Sequence, residues 1–578
     1  MKNFLKMMLA VICGIFLLNA LVFSVIAGIA SAGSGTPSVP SEGVLKIDLS
    51  KIVIGEQSKE ADPLEMLQSG SRSVRTIGLW DAVQAINTAA DDPGIKYIYL
   101  KTDGSATSAA TAGELRESLS KFRQDGGKAI ISYIEAPTTL SYYLASVADK
   151  VYMTPHPGAT SSVTGVSSQM IFLGDLLKKL GVNVQLIRHG KYKSAGEMFT
   201  RSNSSPENRE QYQLMVNSMW KTLSTQIAES RGISIVQLNE AVDGLKLCLP
   251  QDFVDCGLVD GLLDREALQN QLAVFAVEDS FSDVTMIDFG SYVDSKVLPS
   301  KGSKKIAVIY ANGEIIDGGE NSDVGGDRFA SIIEKVAKDK SVKAVVLRVN
   351  SPGGSVLASE KIKAELDRLK EEKPLVASYG DYAASGGYWI SNNCEKIFSD
   401  ALTLTGSIGV FGMIPDFSKT ASDVLKVGVE TISSNKHSDM MSLMRPFDKE
   451  EYDFMLRSIE DIYDRFTTIV SQGRGIPKEQ VDAIGQGHVW TGADALDIKL
   501  VDEIGTLEDA LMYAANLAGD PDLENWNVKG YPATKSQLET LIESLGGGSG
   551  EDFSIRLRKT LEKPRIVARL PYNFSILQ

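Results

Sequence analysis

The chain has 578 residues, of which 43% are apolar and 23% charged, and its formal net charge is −15. This is a globular composition, and the length allows two or three folded units. So acidic a chain lacks the basic face that displaces counterions from nucleic acid, which excludes DNA binding as the main role. Its four cysteines include no C-x-x-C pair, so the sequence predicts no metal site, cofactor or disulfide framework.

The N-terminus carries one long apolar run, residues 7–30, whose only strongly polar residue is Asn19. At 1.5 Å per residue a helix of this length reaches about 36 Å, enough to cross a hydrocarbon core of about 30 Å. The run exceeds the apolar part of a secretory signal, which favours an uncleaved anchor, although cleavage near Ala32 stays open. Lys2 and Lys6 predict that residues 1–6 are cytoplasmic and that the bulk of a bacterial chain is periplasmic.

The rest of the chain contains an internal repeat with an offset of about 245 residues. Ile95–Lys101 matches Val342–Arg348, and Ala148–Tyr152 matches Cys394–Phe398. A unit of this size is a whole domain, so the sequence indicates a duplication. The predicted organisation is a first copy at 43–297, a linker at 298–304, a second copy at 305–545, and a Gly-rich linker with a basic tail at 546–578.

Each copy alternates short β-branched runs with amphipathic stretches such as Leu357–Glu372, which predicts an α/β fold with largely parallel strands. The strands predicted in the second copy are Lys305–Tyr310, Ala344–Val349, Leu375–Tyr379 and Lys396–Ser399. The basic tail segment Arg556–Arg569 suits either a solvated helix or a contact with anionic lipid or a partner.

Three Gly/Ser-rich stretches of the second copy directly follow predicted strands, where α/β folds place ligands. In the first, Gly354 could direct its N–H at a developing negative charge. In the second, Ser385 could be a nucleophile and the N–H of Gly386 could complete an oxyanion hole. The third contains Ser407. Each stretch taken alone is equally typical of a tight turn or a helix N-cap.

The first copy lacks these groups. Asp103–Thr107 stands opposite the glycine pair, Thr138–Ser141 stands near the Ser385 position, and Val166 stands opposite Ser407. The first copy is therefore expected to have lost this chemistry.

A serine nucleophile needs a base, and the four histidines fit this role poorly, since neither His189 nor His488 has an obvious carboxylate partner of the triad type. The alternative is a lysine whose pKa burial has lowered. Lys191 and Lys193 follow the apolar run Val182–Ile187, and in an extended chain they would share one face. From the residues alone, an ordinary surface lysine is the favoured interpretation.

Together with Gly487–Gly492, the stretches around Gly354, Ser385, Ser407 and Lys193 resemble the signal peptide peptidase A family in its long, duplicated form. The resemblance covers the whole chain and implies two tandem ClpP/crotonase-like domains behind one transmembrane helix. It also implies a serine peptidase with Ser385 as nucleophile, Lys193 as general base, Ser407 orienting the lysine, and Gly354 and Gly386 forming the oxyanion hole. Gly196 and Met198 depart from the family pattern beside the lysine.

The resemblance further implies an enzyme of the bacterial inner membrane that degrades released signal peptides and works as a homotetramer. A crotonase-like acyl-transfer enzyme and a non-catalytic membrane-anchored scaffold are the alternatives. The preferred cleavage sequence, the oligomer count, and whether the dyad forms within or between protomers stay open.

Overall fold

The computed structural model describes residues 38–59, 74–158, 161–297, 302–319, 323–534 and 566–569, together with Gly14. Apart from Gly14, the predicted anchor at residues 7–30 lies outside the described residues. Within the described ranges, no helix has the length and apolarity required to cross a membrane.

The described strands are β1 Gly43–Asp48, β2 Ile52–Gly55, β3 Arg75–Gly78, β4 Ile95–Lys101, β5 Ile130–Ile134, β6 Lys150–Met153, β7 Asn183–His189, β8 Gly261–Leu262, β9 Met286–Asp288, β10 Lys305–Asn312, β11 Ile315–Ile316, β12 Val324–Gly325, β13 Val342–Ser351, β14 Gly353–Ser355, β15 Leu375–Ala384, β16 Ile397–Ser399, β17 Leu404–Gly406, β18 Val410–Asp416, β19 Val489–Thr491, β20 Glu503–Ile504, β21 Asn527–Tyr531 and β22 Ile566–Arg569.

The described α-helices are α1 Leu79–Asp91, α2 Ala109–Gln124, α3 Thr139–Ala145, α4 Gly174–Lys179, α5 Glu197–Thr200, α6 Pro206–Arg231, α7 Ile235–Asp243, α8 Pro250–Asp255, α9 Arg265–Ala276, α10 Phe289–Lys296, α11 Gly326–Lys338, α12 Val356–Glu372, α13 Gly386–Ser391, α14 Lys449–Arg474, α15 Lys478–Ile484, α16 Gly492–Asp497 and α17 Leu507–Leu517.

Each half of the chain has its own main sheet. In the first half the order is β8-β6-β5-β4-β1-β9, and every pair is parallel. In the second half it is β19-β17-β15-β13-β10-β21, parallel except for β19, with β16 and β20 branching from β15. The central strands are buried, as expected for parallel sheets covered by helices. The predicted α/β fold with two parallel sheets is confirmed.

The order of elements repeats between the halves. In each half a 13-residue helix, α1 or α11, precedes a central strand, β4 or β13, and a 26-residue helix, α6 or α14, follows later. The long helices also begin and end alike, because a side-chain cap, Ser205 or Asp448, binds the first turn, and a left-handed glycine, Gly232 or Gly475, ends the last turn. The structure thus carries the predicted duplication.

A third sheet joins the two halves, in the order β12-β11-β14-β22-β18-β7. Strand β7 belongs to the first half and pairs antiparallel with β18 of the second half over seven residues, from His189 opposite Val410 to Asn183 opposite Asp416. The strand β22, from the C-terminal tail, lies between β14 and β18 and is antiparallel to both. For residues 566–569 the helical interpretation of the tail is therefore wrong, because these residues form a strand between two strand edges.

A buried ionic cluster also ties the halves together. Arg348 on β13 donates from Nε to Glu56 Oε2 at 2.7 Å and from Nη2 to Glu114 Oε1 at 2.6 Å, and both carboxylates belong to the first half. All three side chains are buried. Burial opposes the charge of the guanidinium, but the two carboxylates outweigh it and raise the pKa of Arg348.

Replacing Arg348→Met should destabilise the protein by about 3–5 kcal/mol, because two carboxylates are left buried without their cation. Adding Glu56→Gln and Glu114→Gln should restore most of this loss. Lys361→Met, which removes an exposed ion pair with Asp327, should cost less than about 1 kcal/mol. Urea unfolding of the variants measures the differences, and equal costs for Arg348→Met and Lys361→Met would contradict this account.

Candidate active site

Lys193 reaches the second half because the chain turns after β7. Lys191 and Lys193 would share one face only in an extended chain, and residues 190–192 form a turn instead. The turn leaves Lys191 exposed and directs Lys193 inward, where it is 0% exposed. The Lys193 carbonyl accepts a hydrogen bond from Arg188 Nη1 at 2.8 Å, which fixes the backbone of the turn to the end of β7.

Lys193 Nζ lies 2.8 Å from Ser385 Oγ, 2.9 Å from Ser407 Oγ and 3.1 Å from the Ser407 carbonyl oxygen. Ser385 and Ser407 are also 0% exposed. The structure therefore brings together the predicted nucleophile, base and orienting serine from two halves of one chain, 192 residues apart for Lys193 and Ser385.

The contacts of Nζ suit an uncharged amine. A neutral lysine has two N–H groups, which can donate to the Ser407 carbonyl and Ser407 Oγ, and one lone pair, which can accept the Ser385 hydroxyl. Burial without a carboxylate partner lowers the pKa of Lys193 well below 10.5, because the charged form loses its hydration. The site thus holds an amine that is able to take a proton from Ser385.

Ser385 lies at a sharp junction between β15, which ends at Ala384, and α13, which begins at Gly386. Its backbone has φ 56° and ψ −111°, a conformation that costs a non-glycine residue about 1–3 kcal/mol. The Ser385 N–H donates to the Gly406 carbonyl at 2.8 Å, which holds the junction in place. The local strain therefore belongs to the residue whose hydroxyl meets the lysine.

Ser407 shares this feature, with a φ of 49°. Its N–H donates to the His488 carbonyl at 2.7 Å, directly after the pairing of β17 with β19. The β17–β19 pair thus sets the position of both oxygen atoms that Ser407 offers to Lys193.

The predicted oxyanion glycines lie side by side. A Cβ on Gly386 would stand 3.1 Å from the Gly354 nitrogen, and a Cβ on Gly354, which has φ 154°, would stand 1.9 Å from the Ile315 carbonyl oxygen. Neither position has room for a side chain. The Gly354 and Gly386 backbones therefore pack closely beside Ser385, and their role as an oxyanion hole stays a prediction.

Glycines also enclose the stem of Lys193. A Cβ on Gly487 would stand 2.6 Å from Lys193 Cβ, and one on Gly409 would stand 3.1 Å from Lys193 Cδ. The neighbouring His488 ring stacks on Trp490 with centroids 4.0 Å apart, and burial lowers the pKa of His488. The motif at Gly487–Gly492 thus builds the wall that keeps water from the lysine.

The corresponding region of the first half has a structural role. Ser141 lies in α3 and forms a reciprocal capping box with Thr138, and the Asp103 carboxylate accepts the N–H groups of Glu135 and Ala136. These side chains complete turns and a helix start. Cys248, Cys256 and Cys394 are free thiols.

One buried side chain at the site, Gln211 on α6, is not among the residues that the sequence singles out. Its side chain donates to the Tyr192 carbonyl beside Lys193 and accepts from the Val489 N–H in the Gly487–Gly492 motif, and it is 1% exposed. Nothing in its sequence context distinguishes it from Gln213, which is exposed on the same helix.

The sequence profile of peptidase family S49 matches residues 121–277 and 367–519. The chain belongs to peptidase family S49. Protease 4 of Haemophilus influenzae is 33% identical to it over 97% of this chain and 93% of the relative, and Protease 4 of Salmonella typhi is 34% identical over 95% and 90%. The chloroplastic serine protease SPPA of Arabidopsis thaliana is 30% identical over 75% of this chain and 64% of the relative.

The protein is thus a serine peptidase of family S49 and a homologue of Protease 4, which confirms the family expected from the motifs. A mutant of ClpP1 from Listeria monocytogenes aligns with 35% of this chain and 94% of its own, at 16% identity and a TM-score of 0.25, too low to support an argument. The ClpP/crotonase-like fold therefore stays a prediction.

The buried lysine should make stability depend on pH. Because the folded pKa of Lys193 lies below that of the unfolded chain, the unfolded state binds more protons between the two values, and stability rises with pH there, by up to about 1.4 kcal/mol per unit. Lys193→Met should remove this rise. The variant should therefore be more stable than wild type near pH 7, and the difference in unfolding free energy should shrink as the pH approaches 10.5.

Unfolding free energies of both proteins between pH 7 and 10 test this. The control is Lys191→Met, at the exposed neighbour, which should keep the wild-type pH dependence. A difference between wild type and Lys193→Met that is flat across this range would show that Lys193 titrates as an exposed lysine does.

Proposed function

We propose that this protein is a Ser-Lys dyad endopeptidase that degrades released signal peptides and other apolar peptides. The observation that carries the proposal is the 2.8 Å contact between Lys193 Nζ and Ser385 Oγ in a fully buried setting. Neither an acyl-transfer enzyme nor a scaffold requires a buried amine in contact with a strained serine.

In the proposed mechanism, Ser385 Oγ attacks the scissile carbonyl carbon while its proton passes to neutral Lys193. The oxyanion that forms accepts hydrogen bonds from the N–H groups of Gly354 and Gly386. The Lys193 ammonium then protonates the leaving amine, the C–N bond breaks, and an acyl-enzyme remains on Ser385. A water molecule then gives a proton to Lys193 and attacks the acyl carbon, the ester bond to Ser385 Oγ breaks, and the Lys193 ammonium returns the proton to Ser385 as the acid product leaves. Ser407 keeps Nζ aimed at Ser385 throughout.

The proposed substrate lies as an extended strand beside Ser385. The support is β22, which pairs on one side with Gly353–Ser355 and on the other with Phe411 and Gly412, and which also lies close to α13. Two strand edges separated by one strand width can hold any extended chain through main-chain hydrogen bonds. Such binding suits a peptidase that acts on many sequences.

The proposed setting is the bacterial inner membrane. Residues 7–30 would anchor the chain with residues 1–6 in the cytoplasm and both halves in the periplasm, in contact with lipid, and the working form would be a homotetramer. The apolar N-terminal run and the resemblance to the signal peptide peptidase A family support this setting. An anchored enzyme would meet apolar peptides where they leave the bilayer.

Hydrolysis of a fluorogenic apolar peptide by the detergent-solubilised protein tests the activity. Ser385→Ala and Lys193→Met should each lower kcat at least about a thousandfold, because nucleophile and base act as one unit. Lys191→Met should retain wild-type turnover. Full activity in Lys193→Met would place the base elsewhere, and an inert wild-type protein would favour the scaffold.

The proposed peptide groove has its own test. Deleting residues 566–578 removes β22, so KM for an extended peptide should fall while kcat stays within about twofold, because a competing strand is gone. A synthetic peptide of residues 563–572 should inhibit the truncated enzyme competitively. The control is deletion of residues 573–578, which leaves β22 intact and should leave KM unchanged. Non-competitive inhibition would contradict binding in the groove.

A further inference from the structure

Gln211 lies near the start of α6, and its side chain contacts the residues on either side of Lys193. Its Nε2 lies 3.2 Å from the Tyr192 carbonyl oxygen and 3.2 Å from Ser194 Oγ, the residues on either side of Lys193. Its Oε1 accepts the Val489 N–H at 3.2 Å. One amide therefore bonds to the first half and to the second half at once.

These bonds close a ring of contacts around the base. From Gln211 the ring passes through Val489 to the adjacent His488 carbonyl, which accepts the Ser407 N–H. Ser407 contacts Lys193 Nζ, and the backbone beside Lys193 returns to Gln211. Within this ring, Gln211 is the side chain that bonds to both the lysine turn and the segment that holds Ser407.

The surroundings of Gln211 favour this single orientation. The residue is 1% exposed, and the Asn208 Oδ1 lies 3.2 Å from Nε2. Asn208 is itself held by Glu197, whose Oε2 lies 3.3 Å from the Asn208 Nδ2, and the Glu197 carboxylate also contacts Arg188, the partner of the Lys193 carbonyl. An amide flip would place Oε1 against the Tyr192 carbonyl oxygen and Asn208 Oδ1, which are both acceptors. The hydrogen bonds therefore fix Nε2 toward the lysine turn and Oε1 toward Val489.

We propose that Gln211 is a positioning residue, which keeps the Lys193 turn in register with the segment that fixes Ser407 and thereby keeps the lysine amine aimed at Ser385. The Tyr192 N–H also donates to the Gln486 carbonyl at 2.9 Å, so loss of Gln211 removes one of two links and loosens the two segments enough for water to approach Nζ. The inference rests on the proposed function, because it concerns the base of that mechanism. It adds a residue that touches neither the substrate nor the reacting atoms.

Gln211→Met tests the proposal, because methionine has a similar length and no charge but cannot bridge the two segments. We expect kcat to fall about tenfold at neutral pH with KM unchanged within about twofold, and the midpoint of the pH–rate limb to rise by about one unit, since hydration favours protonated lysine. Activity should recover as the pH is raised. Gln213→Met, at the exposed glutamine two residues on, should retain the wild-type profile.

A folded Gln211→Met enzyme with wild-type kcat and an unchanged midpoint of the pH–rate profile would overturn the proposal. A loss of thermal stability without any shift of that midpoint would overturn it too. If Gln211→Met does not fold, Gln211→Glu replaces it. Its carboxylate can accept from Val489 but cannot donate to Tyr192, and its charge should shift the limb upward too, so an unshifted limb would be equally fatal. An inert wild-type enzyme would refute the dyad itself, which distinguishes that failure from a failure of this inference.

Discussion

The antiparallel pairing of β7 with β18 is the contact on which the rest of the site depends. β7 ends at His189, four residues before Lys193, and β18 begins at Val410, three residues after Ser407. The register of seven residue pairs therefore fixes where the lysine turn meets the serine loop. A slip of one residue would reverse the face of every side chain on β7, so the register is under strong constraint from the buried Ile187.

Each half of the chain supplies what the other lacks. The second half has the strained serine, the adjacent glycines and Ser407, and the first half has the lysine. The first half has replaced its own serine region with turn and capping interactions, which hold structure but perform no chemistry. The cluster of Arg348 with Glu56 and Glu114 and the shared third sheet keep the halves together, and the burial of Lys193 between the halves requires that they stay together.

The sequence predicts well what is local or repeated. The duplication follows from the repeated residue stretches, and the parallel strands of the second half and the helix from Leu357 to Glu372 follow from hydrophobic patterns. The structure has all of them. The motifs around Ser385, Lys193 and Ser407 lead to three side chains that the structure brings into contact.

What the sequence does not predict depends on contacts between distant segments. The inward direction of Lys193 follows from a turn that no periodicity marks, and the wall at Gly487 forms only when the second half packs on that turn. Gln211 has no distinguishing context in its helix. The strand at residues 566–569 exists because β14 and β18 leave two edges one strand apart, which no pattern within the tail records.

The central claim is that one chain contains a whole site, with its own Lys193 against its own Ser385. Co-assembly of Ser385→Ala chains with Lys193→Met chains tests it most directly, with peptide hydrolysis measured before and after the two are mixed and refolded together. The account predicts no recovery of activity, because every chain then lacks one member of its own dyad. Recovery of a substantial fraction of wild-type activity would mean that the lysine of one chain serves the serine of another, and would contradict the account.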